Sequence, residues 1–415
     1  MLSRYRGLFA LEGFHRLVVS AVLARLPSGM FSLAILLFVR SHSGSFLIAG
    51  VTVGAFTLSG ALCSPLLGGA VDRLGQARVL LPAAVCQVLL LAVFLLLVPL
   101  RIPTVATVAL AAVAGAALPP VSGCIRALWP KVARDPQTLE LAYSLDAISQ
   151  EVIYTTGPLL AGAVAVAVSP GAALALCALV SVGGTLLFAS SPYSRAQHGG
   201  ARKRSGGGVL AGGGVRVLLV SSLFGGCVVG AAEVGLPALA LHAGSRASAG
   251  VLLALFSVGS MLGGVFYGAR AWRAALAARY VLVLVALELA MAPLVLAHSL
   301  LAAIPLSAFA GLGVAPMLSC QFSLMSALAP ADATTEAFSW HRAATVAGIA
   351  AGSAIGGGLV DAVGPSAAFA LGCTGAALAA VFAVGGRRLL DPTLARAGRD
   401  SSIPPLGAVA SERQG

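Results

Sequence analysis

The chain has 415 residues, of which 59% are hydrophobic and only 10% charged, with a mean hydropathy of +0.97. Soluble domains carry roughly 25% charged residues, so this sequence lacks the polar groups to cover a water-facing surface. The formal charge of +12 would suit a nucleic-acid partner, but the basic residues gather in alternate connections between apolar runs, the positive-inside pattern of a polytopic membrane protein.

Apolar runs near the ~20 residues needed to span a bilayer recur along almost the whole chain. Spans one to six fall at about 14–39, 46–71, 77–99, 104–127, 140–168 and 171–191. Arg16 before Leu17–Ala24 has a faint look of a signal peptide, but the apolar stretch resumes past Arg25 without a cleavage site and reads as the first span. Residues 192–214, with Arg195, Arg202, Lys203 and Arg204 among glycines and serines, read as a solvated linker. Spans seven to twelve follow at about 215–241, 248–270, 279–298, 300–327, 337–362 and 366–386, and residues 387–415 form a polar tail expected to be disordered. The fold class is therefore all-α and integral to the membrane, with an N-terminal bundle (1–191) and a C-terminal bundle (215–386). Twelve spans put both termini on one side. Arg40, Arg101 and Arg246 fall on the other side, Arg25 and Arg342 lie within spans, and the remaining basic residues mark the terminal side as cytoplasmic, as in a multi-pass protein of the cell membrane.

The reactive side chains point away from an enzyme. The seven cysteines have no C-x-x-C spacing and all lie in apolar segments, as small membrane-buried hydrophobes do. The six histidines lack metal-ligand spacing, no nucleophile–base pair stands out, and the glycines of the linker are not a phosphate loop. No metal or cofactor is expected. Trp129, Trp272 and Trp340 fall near the terminal-side interface, where aromatic belts sit.

The twelve spans read as six plus six. Residues 142–178 overlay 337–373, with Ala142, Ser144, Gly157, Gly162 and Pro170 meeting Ala337, Ser339, Gly352, Gly357 and Pro365. Gly115 and Pro120 meet Gly311 and Pro316, and Gly50, Val51, Phe56 and Arg73 meet Gly250, Val251, Phe256 and Arg273. Each alignment is weak in Ala- and Gly-rich helices; their agreement in order is not.

Between spans two and three stands Gly68-Gly69-Ala70-Val71-Asp72-Arg73-Leu74-Gly75-Gln76, a turn so short that the two helices must lie antiparallel. This G-x-x-x-D-R-x-G pattern resembles the signature loop of major facilitator superfamily transporters, with Gln76 where a basic residue is common. The second-half loop has Trp272 where Asp72 stands in the first. Gly157-Pro158 in span five resembles the helix-five motif of the drug:proton antiporter branch. Arg126-Ala-Leu-Trp-Pro130 with Gly157-Pro158 is similar to bacterial exporters of drugs and siderophores. The resemblance implies two bundles rocking about a central site. Gly68, Asp72, Arg73 and Gly75 would form a conformational gate, Asp72 would face the start of span eleven near Glu336–Phe338, and Arg126 would be its further partner. It also implies a monomer carrying a small molecule and protons across the lipid bilayer.

Ionisable residues deep in a span cost at least ~2.5–3.5 kcal/mol on insertion scales, so each needs a reason. Glu151 leads as proton carrier, with Glu233 second and Asp146 third; Arg25 would be the counter-ion of Glu151 or an anchor for an anionic substrate. Asp146 and the pair His341/Arg342 occupy matching repeat positions, which suits an inner gate across the halves. For each of these, a structural ion pair between helices is the plain alternative. Glu288, in peripheral span nine, reads as locally paired. The expected function is proton-coupled export of a small, partly hydrophobic compound such as a drug, siderophore or secondary metabolite. The alternatives are uptake or uniport of an anionic metabolite centred on Arg25 and Arg342, or a membrane scaffold or receptor.

Overall fold

A computed structural model describes residues 14–133, 135–197, 208–243, 246–270, 272, 274–297 and 299–391. Arg202, Lys203, Arg204 and Arg273 and the tail beyond residue 391 lie outside them, as does His298. Helix follows helix throughout. Span one is α1 (Phe14–Ser43), span two α2 (Phe46–Leu74) and span three α3 (Gln76–Leu97). Span four is broken into α4 (Thr104–Ala116) and α5 (Val121–Val132). Spans five and six are α6 (Pro136–Ala167) and α7 (Pro170–Ser190), followed by the short α8 (Pro192–Arg195). The second bundle holds α9 (Gly213–His242), α10 (Arg246–Ala269) and α11 (Leu276–Val295), then a broken tenth span, α12 (Leu300–Gly311) and α13 (Val314–Leu328). It closes with α14 (Thr334–Ala362), α15 (Pro365–Gly385) and the short α16 (Arg387–Leu390).

Eleven spans among the described residues are long and apolar enough to cross a bilayer. The twelfth expected one, α6, is the longest helix at 32 residues but carries Glu140, Asp146, Gln150 and Glu151. These polar residues dilute its hydropathy, and they point at other helices rather than at lipid.

Local chemistry sets the helix starts. Asp135 accepts from Thr138 N at 2.9 Å with Pro136 at the first helical position, and Ser169 caps α7 ahead of Pro170 in the same way. The sidechain oxygen satisfies a donor left open at the helix start, and proline removes another. That signal starts α6 one turn before the expected 140. In span four, Pro119 and Pro120 lack the N–H needed to continue the ladder, so the helix breaks between α4 and α5.

The expected coil of 192–214 is folded where it is described. Ser194 Oγ donates to Gln76 Oε1 at 2.9 Å, Lys131 bonds Gln197, and Val209 is buried. The start of the tail is held too, with Leu390 buried in α16. All seven cysteines are free; six lie at least half buried among helices, but Cys86 is exposed on the outer face of α3.

Within each bundle the helices meet backbone to backbone. In lipid no hydrophobic force drives helices together, so small residues that permit close approach decide the contacts. A Cβ on Gly157 of α6 would stand 2.7 Å from Gly29 C of α1. Gly348 and Gly352 of α14 lie against Leu223 and Cys227 of α9, where a Cβ would overlap carbonyl oxygens. Gly115 in α4 rests on the Phe56 carbonyl of α2, and Gly311 in α12 rests on the Phe256 carbonyl of α10. The positions that the repeat equates are thus the same backbone crossing in both bundles.

Gly348→Val forces a branched side chain into the Leu223 backbone, an overpacking worth at least about 1–3 kcal/mol. It is expected to lower the thermal midpoint of purified protein by several degrees and to cut monodisperse yield. Gly357→Ala, on the same helix with open space at the Cβ, is expected to leave both unchanged.

Candidate functional site

The two bundles meet at the face where the described chain enters α1 and leaves α16, here the terminal face. Contact between them runs through α2 with α14, α6 with α10 and α13, and α5 with α14. These are the terminal-side halves of the broken spans; α4 and α12 pack within their own bundles.

Asp72 is the centre of this closure. The chain reverses between α2 and α3 on one residue, Gly75, whose φ of 96° and ψ of 154° suit glycine. Its N–H bonds Val71 O at 2.8 Å, which leaves Asp72 projecting from the last turn of α2. Asp72 Oδ1 accepts from Thr335 N at 3.1 Å and Oδ2 from Glu336 N at 2.9 Å, so one carboxylate of the first bundle caps α14 of the second. Ala333, at the cap position of α14, supplies no side-chain bond. Open N–H groups and the positive end of the helix dipole favour a carboxylate there. Gly68 makes the approach possible, since a Cβ on it would stand 2.7 Å from Ser339 Oγ and 3.0 Å from the Glu336 backbone. Arg73 is exposed and makes no bond to a described residue. Gln76 is fully buried, donating to Cys124 O at 3.1 Å.

A second inter-bundle contact lies on the α6 side. Arg279 at the start of α11 grips Glu140 with both terminal nitrogens, at 2.9 and 2.6 Å, and stacks near Tyr267 and Trp272. Ser144 Oγ donates to Gly264 O at 2.6 Å beside it. Neither Arg279 nor Glu140 stands out in the sequence, because charges at helix ends are expected there. Carried just beyond residues 142–178, the offset of the repeat sets Glu140 opposite Thr335, one of the two residues whose N–H groups Asp72 accepts from.

The buried charges pair differently from expectation. Arg25 Nη1 donates to Asp146 Oδ1 at 2.6 Å, and Arg126 Nε donates to Asp146 Oδ2 at 2.7 Å. Arg126 Nη2 reaches Gln150 Oε1 at 2.7 Å, and its guanidinium lies 3.8 Å over the Phe322 ring of α13. So Arg126 is not a partner of Asp72, and Arg25 is the counter-ion of Asp146, not of Glu151. Asp146 pairs with neither His341 nor Arg342. With each oxygen held by a guanidinium, it is a structural anion in this state rather than a free proton carrier. Trp129 is also misplaced by the belt reading: it is 2% exposed and packs on Phe14 at 5.7 Å, because span four turns that face inward.

His341 lies inside the second bundle. Its Nε2 is 3.0 Å from Gln321 Oε1, Gln321 Nε2 donates to Tyr280 OH at 3.0 Å, and Tyr280 is 2.7 Å from Ser221 Oγ. Glu288 is half-buried and faces Cys373 of α15, on the rim of the bundle.

Farther from the terminal face lie Glu151 and Glu233, on α6 and α9. Glu151 lies in hydrogen-bonding reach of Ser260 on α10 and in the electrostatic field of Glu233 on α9. Glu233 is exposed within its span and close enough to Glu151 for the two charges to interact. Arg342 Nη1 is 3.4 Å from Tyr154 OH of the other bundle. A pocket at this level is lined by Arg25 and Ser28 of α1, Ser64 of α2, the α4–α5 break at Pro120 and Ser122, and Arg342. No three His, Cys, Asp or Glu side chains converge as a metal site among the described residues.

Two substitutions read this geometry. Asp146→Asn leaves Arg25 and Arg126 buried without a counter-charge, a loss of about 3–5 kcal/mol; the thermal midpoint should fall by several degrees, and by much less in Glu151→Gln. Asp72→Asn removes charge-assisted bonds worth about 1.5–3 kcal/mol in the closed face. Cys124, buried and in the field of Asp72, should then be alkylated by a maleimide roughly tenfold faster, as read by site-resolved mass spectrometry.

The comparisons with known proteins agree with this architecture. The family model described as Major Facilitator Superfamily matches residues 17–269. An uncharacterized MFS-type transporter of Sinorhizobium fredii (strain NBRC 101917 / NGR234), y4rN, is 30% identical over 183 residues, 43% of this chain and 44% of that protein. The chain thus spans less than half the length of that relative. Among solved structures, the human organic anion transporter MFSD10 (TETRAN) superposes with a TM-score of 0.69 at 16% identity, over 89% of this chain and 99% of that one. A bacterial homologue of the iron transporter ferroportin in its outward-facing state gives 0.71 at 15% identity, over 89% and 98%. At such identities the likeness concerns the fold alone. A family model covering more than half the chain, on a fold of two matching helix bundles, is decisive: this multi-pass membrane protein belongs to the major facilitator superfamily.

Proposed function

We propose that this protein is a secondary active transporter that moves a small, partly hydrophobic compound by alternating access and couples its movement to protons. The observation that carries the reading is the one-sided closure. The short bonds that join the bundles, from Asp72, Glu140 and Ser144, lie in the terminal-side halves of α2 and α6, while Glu151 and Glu233 sit farther from the terminal face along their spans. A carboxylate whose access switches from one side to the other can take a proton on one side and release it on the other. Two carboxylates from opposite bundles, in each other's field, suit that task because rocking changes their separation. Pro158 and Gly157, beside the α1 crossing, give α6 freedom to shift: proline removes a ladder bond, and glycine allows sliding contact.

The basic terminal face is read as cytoplasmic, so the cavity opens outward in this state, at the cell membrane. Export then follows from a cycle in which proton entry through this cavity drives release of the compound. The likeness of Arg126-Ala-Leu-Trp-Pro130 and Gly157-Pro158 to drug and siderophore exporters supports that direction.

The test is proton release from purified protein in detergent on addition of compounds from a panel of antibiotics, dyes and siderophores. Release by the wild type that disappears in Glu151→Gln is expected, with Glu233→Gln reducing it. Binding with undiminished proton release in both variants would remove the carboxylates from the mechanism. Transport in proteoliposomes without any proton movement would establish uniport instead.

A further inference from the structure

The pocket between Arg25 and Arg342 has a lining of one charge sign. Arg25 enters it from the first bundle and Arg342 from the second, and its lining contains no carboxylate. Arg25 is 5% exposed and spends Nε on Ala21 O and Nη1 on Asp146, which leaves Nη2 without a partner among the described residues. Arg342 has a single long bond, to Tyr154, and no acidic partner among the described residues. The charges around them do not balance: Arg126 feels Arg25 and Arg342 as well as Asp146, so three guanidiniums share one carboxylate. The break in span four adds to this. α5 begins at the pocket wall with no side-chain cap, and Ser122 stands in its first turn, so the positive end of a 12-residue helix faces the same space. Ser28 and Ser64 add hydroxyl donors, while Leu118, Pro119 and Val121 supply an apolar wall.

A guanidinium held in a membrane interior without a counter-ion is costly, and a ligand that supplies the missing anion recovers that cost. We infer that this pocket binds the anionic group, a carboxylate or similar oxyanion, of an amphiphilic organic substrate, bridging Arg25 of one bundle to Arg342 of the other. The inference rests on the transporter reading and assigns its substrate class. A bridging anion also ties binding to conformation, because its two anchors sit on parts that move relative to each other.

The experiment uses full-length protein in detergent and a library of arylalkyl carboxylates, each paired with its amide and its amine of the same shape. Thermal stabilisation is measured for wild type, Arg342→Gln, Arg342→Lys and, as a control outside the pocket, Arg216→Gln, an exposed arginine at the start of α9. The expected result is that stabilising compounds are concentrated among the carboxylates, that Arg342→Gln weakens their apparent affinity at least tenfold, that Arg342→Lys retains part of it, and that Arg216→Gln leaves it unchanged. Should no carboxylate stabilise the protein, should amides or amines do so equally well, or should Arg342→Gln leave the response intact, the inference is overturned. Counterflow of the same carboxylates in proteoliposomes separates the two readings. Arg342-dependent binding without flux sinks the transporter and keeps the anion site; flux that ignores Arg342 does the reverse.

Discussion

One carboxylate at the end of α2 sets the shape of the whole molecule. Asp72 satisfies two N–H groups at the start of α14, a helix whose own cap residue offers nothing, and so closes a gap between bundles that otherwise share few polar bonds. The pairing of α2 with α14 at the terminal face rests on that contact. Its strength comes from chemistry available only at a helix start, where unsatisfied donors and the dipole act together. It asks for no partner side chain, only for glycine at position 68 to let the helices touch.

The fold was legible in the sequence to the extent that it is written in backbone requirements. Glycine where two helices cross cannot be exchanged freely, and so the pairs Gly115/Gly311 and Phe56/Phe256 preserve the repeat and mark the same crossing in space. Asp72 was legible for a similar reason, since its turn permits one residue and that residue needs a positive φ. What sequence reasoning missed depends on rotation. In helices rich in alanine and glycine the polar face is not marked by its neighbours, so spacing could not tell that Asp146 turns toward Arg25 and Arg126 while Glu151 turns toward Ser260. Likewise Trp129 and Gln76 occupy positions where interface and loop residues are normal, and only packing shows that both are buried.

The two bundles are alike in backbone and unlike in charge. The first holds the Arg25–Asp146–Arg126 cluster; the second holds the hydrogen-bonded run His341–Gln321–Tyr280–Ser221, which contains no carboxylate or guanidinium. Ion pairs held within one bundle can move as part of a rigid body, because none of them must break when the bundles rock. The cation that remains across the gap, Arg342, is the one held by a single weak bond.

The same asymmetry gives the closed face a grain. On one flank the fastening is a carboxylate seated on peptide groups. On the other it is the Arg279–Glu140 pair, in which the arginine side chain is 1% exposed and the glutamate 33%. Mobile ions and water reach Glu140, so that flank is weakened by salt and competes with solvent, whereas a peptide-capped carboxylate has fewer rivals. The closed face is thus fastened by two unlike contacts, of which the Arg279–Glu140 pair is the more open to competition from salt.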